Sequence, residues 1–262
     1  MTDFAAMARG LPPREGRVVH VREGDVARIV LDAPATRNAL HPGMMLELAH
    51  AVHQAHGARA VLLEGASGAF CAGGDLGAVR AHLAEPGMGR RMGAFMHGVL
   101  AALEALEVPI VGVVDGPALG GGAELLAVCD RVHASPRARV GWVQAQLGVS
   151  PGFGGGARLA RRVGPVRAAR LLLEARVLTA SEALAEGLVD TLDENPGASA
   201  RAWVDARLAL PDAAVRAAIA VGRPPLPVGA LERELAAFDA VWGAPAHLAA
   251  LDLAWRRITR AP

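Results

Sequence analysis

The sequence contains no lysine and no tyrosine, and it has only two cysteines. Without lysine, the chain cannot form a Schiff base, anchor pyridoxal phosphate or build a phosphate-binding P-loop. Without tyrosine, no phenol can serve as a catalytic acid. Cys71 and Cys129 lie far apart and have no companions, so they indicate neither a disulfide framework nor a zinc site. We therefore expect a reducing, cytoplasmic location and no metal.

An excess of charge of one sign is also missing, because 27 basic residues, all of them arginine, are balanced by 26 acidic residues. The formal net charge of +1 gives no drive for sequence-independent binding of nucleic acid or of a membrane surface. No uncharged apolar run approaches the ~18 residues of a membrane helix, and residues 1–17 lack the apolar core of a signal peptide. We expect a soluble protein whose partners are small molecules or other copies of the chain.

The apolar pattern predicts an α/β domain. Residues 18–34 alternate like two short strands joined by a turn at Glu23-Gly24-Asp25, and residues 43–56 have the spacing of an amphipathic helix. Residues 58–65 and 108–116 are short apolar runs that end in glycine, as buried strands often do. Each is followed by a glycine-rich turn and a helical stretch, which is typical of successive strand-turn-helix units.

We predict a main domain over residues 17–197 and a helical region over residues 198–262. A linker rich in proline and glycine, residues 221–230, precedes the last helical stretch. The large apolar side chains of that stretch are Trp242, Leu248, Leu251 and Trp255. They exceed what a lone surface helix needs, so we expect them to pack against another subunit.

Three motifs suggest chemistry that their surroundings do not support. Residues 148–152 match the G-x-S-x-G nucleophile elbow of serine hydrolases, but Pro151 has no N–H to offer to an oxyanion hole. Residues 152–157 match a dinucleotide-binding fingerprint, but no buried strand precedes them. The 43–56 helix carries three histidines, but a catalytic metal needs about three firm protein ligands with a second shell of hydrogen bonds, and the nearby sequence does not supply them. A solvent-exposed helix face explains these histidines better than a metal site.

Two glycine-rich segments carry the strongest functional signal. Residues 67–76 (SGAFCAGGDL) and 115–130 (DGPALGGGAELLAVCD) each lie where a buried strand gives way to a helix. Glycine-rich backbone at such a place leaves N–H groups unpaired and lets a ligand approach closely. Two such turns facing each other would form an oxyanion hole with two donors. From spacing alone, two tight turns without a ligand are an equally good interpretation.

In these residues the sequence resembles the crotonase superfamily of enoyl-CoA hydratases and isomerases, whose members carry both segments in this order. Three further segments fit the family pattern: Arg37-Asn38-Ala39-Leu40, the Pro-Gly-x-Gly-Gly turn at 151–155, and residues 180–189. The resemblance covers about residues 18–190. It implies an α/β fold built as a spiral of ββα units, with a C-terminal helical trimerisation region and a homotrimer or dimer of trimers as the assembly.

The resemblance also implies an acyl-CoA thioester as substrate, with coenzyme A as part of that substrate and no separate cofactor. The N–H groups of Ala72 and Gly121 would bind the thioester carbonyl as it becomes an enolate. Arg37 would reach the coenzyme A phosphates. The other residues expected to bind substrate are Ala39, Gly74, Asp75, Leu76 and Gly120. Many relatives have lysine where this chain has Gly68, so one phosphate contact is missing or comes from another arginine.

Hydratases of this family use two glutamates, and this chain has one. Glu124 matches the glutamate of the second glycine-rich segment, whereas the other position falls on Gln144. An amide can hold water or a carbonyl by hydrogen bonds but cannot exchange a proton. We predict a hydratase-like enzyme with a single active carboxylate. Decarboxylation or hydrolysis of an acyl-CoA is an alternative, as is a catalytically impaired protein that binds acyl-CoA.

Overall fold

The computed structural model describes residues 2–260, which form two β-sheets and twelve α-helices. The strands are β1 (Arg17–Glu23), β2 (Val26–Asp32), β3 (Ala60–Gly65), β4 (Ile110–Val114), β5 (Pro117–Leu119), β6 (Arg131–Ala134), β7 (Arg139–Gly141), β8 (Leu178–Thr179) and β9 (Thr191–Leu192). The α-helices are α1 (Thr2–Arg9), α2 (Pro42–Gln54), α3 (Leu76–Ala78), α4 (Met88–Glu104), α5 (Gly121–Leu126), α6 (Gly155–Val163), α7 (Pro165–Glu174), α8 (Ala180–Ala185), α9 (Pro196–Leu208), α10 (Asp212–Gly222), α11 (Ala230–Val241) and α12 (Pro245–Arg260). Within the described residues, no helix is both long enough and apolar enough to span a bilayer.

The larger sheet has the strand order β1-β2-β3-β4-β6-β9. The first two strands form the antiparallel hairpin that the sequence predicts, and the other neighbouring strands run parallel. Every residue of β4 and the first four residues of β3 are buried. Helices cover both faces of a parallel sheet, so the side chains on both sides of these central strands are buried. This explains why the two strands have uninterrupted apolar sequences.

The smaller sheet holds β5, β7 and β8. In β4-β5-α5 and in β6-β7-α6, a strand of the larger sheet is followed by a strand of the smaller one and then by a helix. After β3, an isolated bridge between Cys71 and Ala118 takes the place of the second strand, and helices follow it. This repeat is the ββα spiral that the resemblance implies.

Asn38 joins a tight turn after β2 to the glycine-rich loop after β3. Its side chain is fully buried, and its backbone has a left-handed φ of 60°. Oδ1 accepts a hydrogen bond from the N–H of Ala33 at 2.7 Å. Nδ2 donates to the carbonyl oxygens of Ala66 at 2.9 Å and Ala69 at 2.8 Å. One side chain therefore fixes both backbone segments relative to each other.

We expect Asn38→Ala to lower the free energy of unfolding by about 2 kcal/mol or more, because it leaves the buried N–H of Ala33 and the buried carbonyl of Ala69 unpaired at ~1 to 3 kcal/mol each. Alanine also fits a left-handed backbone less well than asparagine does. Urea unfolding measures the loss. His53→Ala, at an exposed position of α2, is the control and should change the free energy by less than about 0.5 kcal/mol. Equal effects of the two variants would contradict the anchoring role.

The C-terminal helices pack against the main domain of the same chain. Trp242 is buried, and its Nε1 donates to the carbonyl oxygen of Leu83 at 2.7 Å. Leu251 is also buried, and the Trp255 ring lies against Gly77. The prediction that these apolar groups face another subunit is therefore wrong for Trp242 and Leu251, because contacts within the chain already bury them.

The proposed division between residues 197 and 198 stays a prediction. Helix α9 spans that position, and its Ala200 and Val204 are buried in a cluster with Val26, Leu62 and other side chains of the larger sheet. The start of the C-terminal region thus packs on the outer face of the sheet, whereas its end packs near the glycine-rich loops.

Candidate active site

A cavity of about 460 Å³ lies between the two glycine-rich segments and α12. Seven residues predicted from the sequence line it: Ala72, Gly74, Leu76, Gly120, Gly121, Glu124 and Gln144. Both glycine-rich segments and both positions of the glutamate pair therefore meet at one place. Among the described residues, no group of three or more His, Cys, Asp or Glu side chains is placed to hold a metal ion.

Three residues predicted to bind substrate lie outside the cavity lining. Ala39 is buried. The Asp75 carboxylate accepts a hydrogen bond from the N–H of Ala78 at 2.8 Å and pairs with Arg14 at 3.1 Å, so it is already engaged within the chain. Arg37 is exposed, and within residues 2–260 its guanidinium group has no acidic partner. Of the three, only Arg37 keeps a side chain that is available to an anionic ligand.

Ala72 does not supply a free N–H group. Its N–H donates to the carbonyl oxygen of Arg37 at 2.9 Å, so the prediction that Ala72 binds a ligand carbonyl is wrong. The next residue, Gly73, has a φ of 103°, a backbone conformation that glycine adopts readily and other residues rarely do. The resemblance implies Ala72 as the donor, but the hydrogen bond to Arg37 already engages that N–H group within the chain.

Gly74 supplies a free N–H group instead. The N–H of Leu40 donates to the Gly73 carbonyl at 2.7 Å, and the N–H of Asp75 donates to the Leu40 carbonyl at 3.0 Å. These bonds form a parallel bridge between Leu40 and Gly74. In such a bridge the N–H of Gly74 faces away from Leu40, here toward the start of α5. Within residues 2–260, the N–H groups of Gly74 and Gly121 have no acceptor, and both residues line the cavity.

Backbone N–H groups of the Pro-Gly-x-Gly-Gly turn hold the buried carboxylate of Glu124. Oε2 accepts from Phe153 at 2.8 Å and from Gly155 at 3.0 Å. Oε1 accepts from Gly152 at 3.3 Å and from the Nε2 of Gln144 at 3.0 Å. Each carboxylate oxygen therefore has two donors, and Glu124 fixes the turn that begins α6.

Burial and, to a smaller extent, the negative charge of Glu234 together raise the pKa of Glu124 to about 7, against the opposing effect of the N–H groups of the turn. Glu234 belongs to α11 and lies on the other side of the same turn, where its Oε2 accepts from the N–H of Ala157 at 2.8 Å. Burial raises the pKa of Glu234 as well. Near neutral pH both protonation states of Glu124 are populated, as a proton-transfer group requires.

We expect the ionisation of Glu124 to destabilise the fold as pH rises. The folded-state pKa of about 7 lies above the usual 4.5, so the protonated carboxyl group favours the folded state. That contribution is complete below pH 4.5 and is lost as pH rises through about 7. Glu234→Gln removes the negative charge beside Glu124 and also the titration of Glu234, whose own pKa is raised by burial, so both effects should make the fall in unfolding free energy between about pH 5 and pH 8 shallower.

Urea unfolding at several pH values measures this slope for the wild-type protein and for Glu234→Gln. The control is Glu232→Gln, since Glu232 is exposed on the same helix and pairs with Arg90. It should leave the slope unchanged. If both variants have the wild-type slope, Glu234 does not influence the ionisation of Glu124.

Gln144 is buried and opens a 3₁₀ turn, Gln144–Leu147. Its Nε2 donates to Glu124, while its Oε1 has no donor within the described residues. Since the residue lines the cavity, this oxygen can accept a hydrogen bond from a bound molecule.

Helix α12 forms a wall of the cavity, a position that its sequence pattern does not reveal. Its lining residues are His247, Ala250, Leu251, Leu253, Ala254, Arg257 and Ile258. Their helical spacing is visible in the sequence. The same spacing is equally typical of a subunit interface, so the pattern alone does not show what the helix covers.

Comparison with known proteins gives consistent matches. A model of the enoyl-CoA hydratase/isomerase family matches residues 21–217. An ethylmalonyl-CoA decarboxylase of Danio rerio is 37% identical over 234 residues, covering 85% of this chain and 77% of the relative. A short-chain-enoyl-CoA hydratase of Clostridium acetobutylicum is 36% identical over 181 residues, covering 68% and 69%. An enoyl-CoA hydratase/isomerase structure from Mycobacterium paratuberculosis superposes with a TM-score of 0.81 over 90% of this chain and 97% of that one; its identity of 23% supports the fold alone.

Proposed function

The chain belongs to the enoyl-CoA hydratase/isomerase family, and we propose that it stabilises the enolate of an acyl-CoA thioester with the N–H groups of Gly74 and Gly121. Both groups are unpaired within residues 2–260, and both residues line the cavity. Negative charge gathers on the thioester oxygen as the enolate forms. Each preorganised donor aimed at that oxygen can lower the barrier by about 2.7 to 4 kcal/mol.

The reaction that this site supports best is decarboxylation of a short alkylmalonyl-CoA. The observation that carries this proposal is Gln144, an amide beside Glu124 where hydration needs a second carboxyl group. Hydration requires an activated water at Cβ and a proton at Cα, and two carboxyl groups share that work. Decarboxylation needs no activated water. The bond between Cα and the carboxylate breaks, its electron pair enters the thioester as the enolate, and CO₂ leaves.

The mainly apolar lining of the cavity supports the same reaction. A carboxylate that leaves water for apolar surroundings loses solvation, whereas the CO₂ that it becomes needs little, so desolvation favours cleavage. The enolate must then take one proton at Cα. Among the described residues that line the cavity, Glu124 is the one carboxyl group, and its pKa of about 7 suits it to give this proton and regain one from solvent.

The coenzyme A portion would lie at the mouth of the cavity. Arg37 and Arg257 are both exposed, and within residues 2–260 neither has an acidic partner. Arg257 also lines the cavity. Guanidinium groups bind phosphate oxygens well, so these two arginines can provide the phosphate contact that Gly68 cannot.

The similarity to an ethylmalonyl-CoA decarboxylase over 85% of this chain supports a substrate with a short alkyl branch. Hydration of a short enoyl thioester is the second candidate, because a short-chain-enoyl-CoA hydratase is nearly as similar. In that case Glu124 alone would both activate the water and protonate Cα, which should be slow.

Purified protein should be given ethylmalonyl-CoA, crotonyl-CoA and butyryl-CoA, with CO₂, hydrated product and free thiol measured. We expect CO₂ release from ethylmalonyl-CoA with a kcat/KM at least about tenfold above that for hydration of crotonyl-CoA, a barrier difference of ~1.4 kcal/mol. Faster hydration would make the protein a hydratase. Free thiol from butyryl-CoA would indicate a hydrolase, and binding without any turnover would indicate an acyl-CoA-binding protein.

We also propose a homotrimer or dimer of trimers in a reducing, cytoplasmic setting. Leu248, Leu253 and Ile258 of α12 stay at least 40% exposed, so apolar surface is left for a contact between subunits. Both cysteines are buried free thiols. Light scattering at micromolar concentration tests the assembly, and a stable monomer would contradict it.

A further inference from the structure

Helix α12 brings one histidine to the cavity. His247 is only 2% exposed and lines the cavity. Its ring packs on the ring of Trp242, with centroids 4.6 Å apart. Its backbone lies so close to Gly148 that a Cβ there would come within 3.0 Å of the His247 nitrogen. The Trp242 ring therefore packs on one face of the imidazole, and the close approach of Gly148 fixes the backbone that carries it.

Hydrogen bonding fixes which nitrogen of His247 carries the proton. The N–H of Gly243 donates to Nδ1 at 2.9 Å, so Nδ1 is the unprotonated nitrogen. Burial lowers the pKa of His247, so the ring is neutral at pH 7 and its single proton is on Nε2. Within residues 2–260, Nε2 has no hydrogen-bond partner. Because His247 lines the cavity, this N–H group is free to donate to a bound ligand.

We propose that the Nε2–H of His247 binds the carboxylate of the alkylmalonyl group and thereby selects carboxylated thioesters. The proposal rests on the decarboxylase function. Since Gly74 and Gly121 take the thioester carbonyl, another donor is needed for the carboxylate. The unpaired atom of Gln144 is an oxygen, which cannot donate to it. Arg257 is exposed and ten residues further along α12, ~15 Å away, so it belongs to the mouth.

A neutral donor suits a carboxylate that must leave as CO₂. A cationic arginine would bind the substrate carboxylate strongly and lose that interaction as the charge disappears, which would raise the barrier. One hydrogen bond from a neutral imidazole stabilises the ground state less, while it still orients the bond from Cα to the carboxylate for cleavage. In this step His247 keeps its proton, because the electron pair passes to the thioester.

Two variants separate hydrogen bonding from packing. His247→Gln places an amide N–H near the position of Nε2, whereas His247→Phe keeps a ring against Trp242 but has no donor. We expect His247→Phe to lower kcat/KM for ethylmalonyl-CoA at least about tenfold, a barrier change of ~1.4 kcal/mol, and to leave the inhibition constant of butyryl-CoA within about twofold. His247→Gln should stay within about threefold of the wild-type kcat/KM.

Several outcomes would overturn the proposal. An unchanged kcat/KM in His247→Phe, an equal loss for both thioesters, or a loss in His247→Gln as large as in His247→Phe would leave His247 only a packing role. If His247→Phe unfolds, His247→Asn repeats the test, because it keeps an acceptor for the Gly243 N–H. If the wild-type protein releases no CO₂, the decarboxylase function fails. Dissociation constants of the uncleaved ethylmalonyl-CoA and of butyryl-CoA then test His247 by the same comparison.

Discussion

Gly74→Pro should lower kcat/KM by about 10²- to 10³-fold and leave the protein folded, since it deletes one of the two N–H groups assigned to the thioester oxygen. The N–H of Gly74 has no acceptor within residues 2–260, so its removal breaks no hydrogen bond of the fold. Gly74 has no left-handed φ, and a Cβ there would meet only the side chain of Val79, at 4.0 Å. The loss should fall mostly on kcat, because the donors act most strongly on the charge that develops in the transition state.

The matched control is Gly74→Ala, which adds a Cβ and keeps the N–H. Its kcat/KM and its free energy of unfolding should both stay close to the wild-type values. Ala72→Pro removes the hydrogen bond to the Arg37 carbonyl and is expected to lower stability instead. Turnover by Gly74→Pro within about threefold of wild type, with an intact fold, would show that Gly74 is not an oxyanion donor.

The sequence locates the glycine-rich loops but does not reveal which N–H group in them is free. Local composition identifies residues 67–76 as a turn after a buried strand, and this is confirmed. The choice between Ala72 and Gly74 depends on the φ of Gly73 and on a hydrogen bond to the carbonyl of Arg37, which lies in a distant turn. Such tertiary contacts decide the direction of each N–H, and no local pattern encodes them.

The same limit applies to the fold. The hairpin and the strands β3 and β4 were predictable, because alternation or a buried apolar run extends over enough residues to be recognised. The strands of the smaller sheet have only two or three residues each, too few for a period of two to be visible. The apolar face of α12 was visible, but its spacing does not distinguish a cavity wall from a subunit interface.

Gln144→Glu should replace much of the decarboxylase activity with hydratase activity. The new carboxyl group would stand where Nε2 of Gln144 now lies 3.0 Å from Oε1 of Glu124. Two carboxyl groups at that distance in a buried site share a proton, so the pKa of at least one of them rises. The pair then offers a base for the water at Cβ and an acid for Cα.

We expect hydration of crotonyl-CoA by Gln144→Glu to rise at least about tenfold, a barrier lowered by ~1.4 kcal/mol. Release of CO₂ from ethylmalonyl-CoA should fall at least as much, because the new negative charge repels the substrate carboxylate. Gln54→Glu is the control: Gln54 is exposed at the end of α2 and outside the cavity lining, so the same change of charge stays away from Glu124 and from the substrate. That variant should change neither rate by more than about threefold. If Gln144→Glu leaves CO₂ release unchanged, Gln144 does not determine the reaction. If CO₂ release falls without any gain in hydration, a second carboxyl group beside Glu124 is not sufficient for hydratase activity in this cavity.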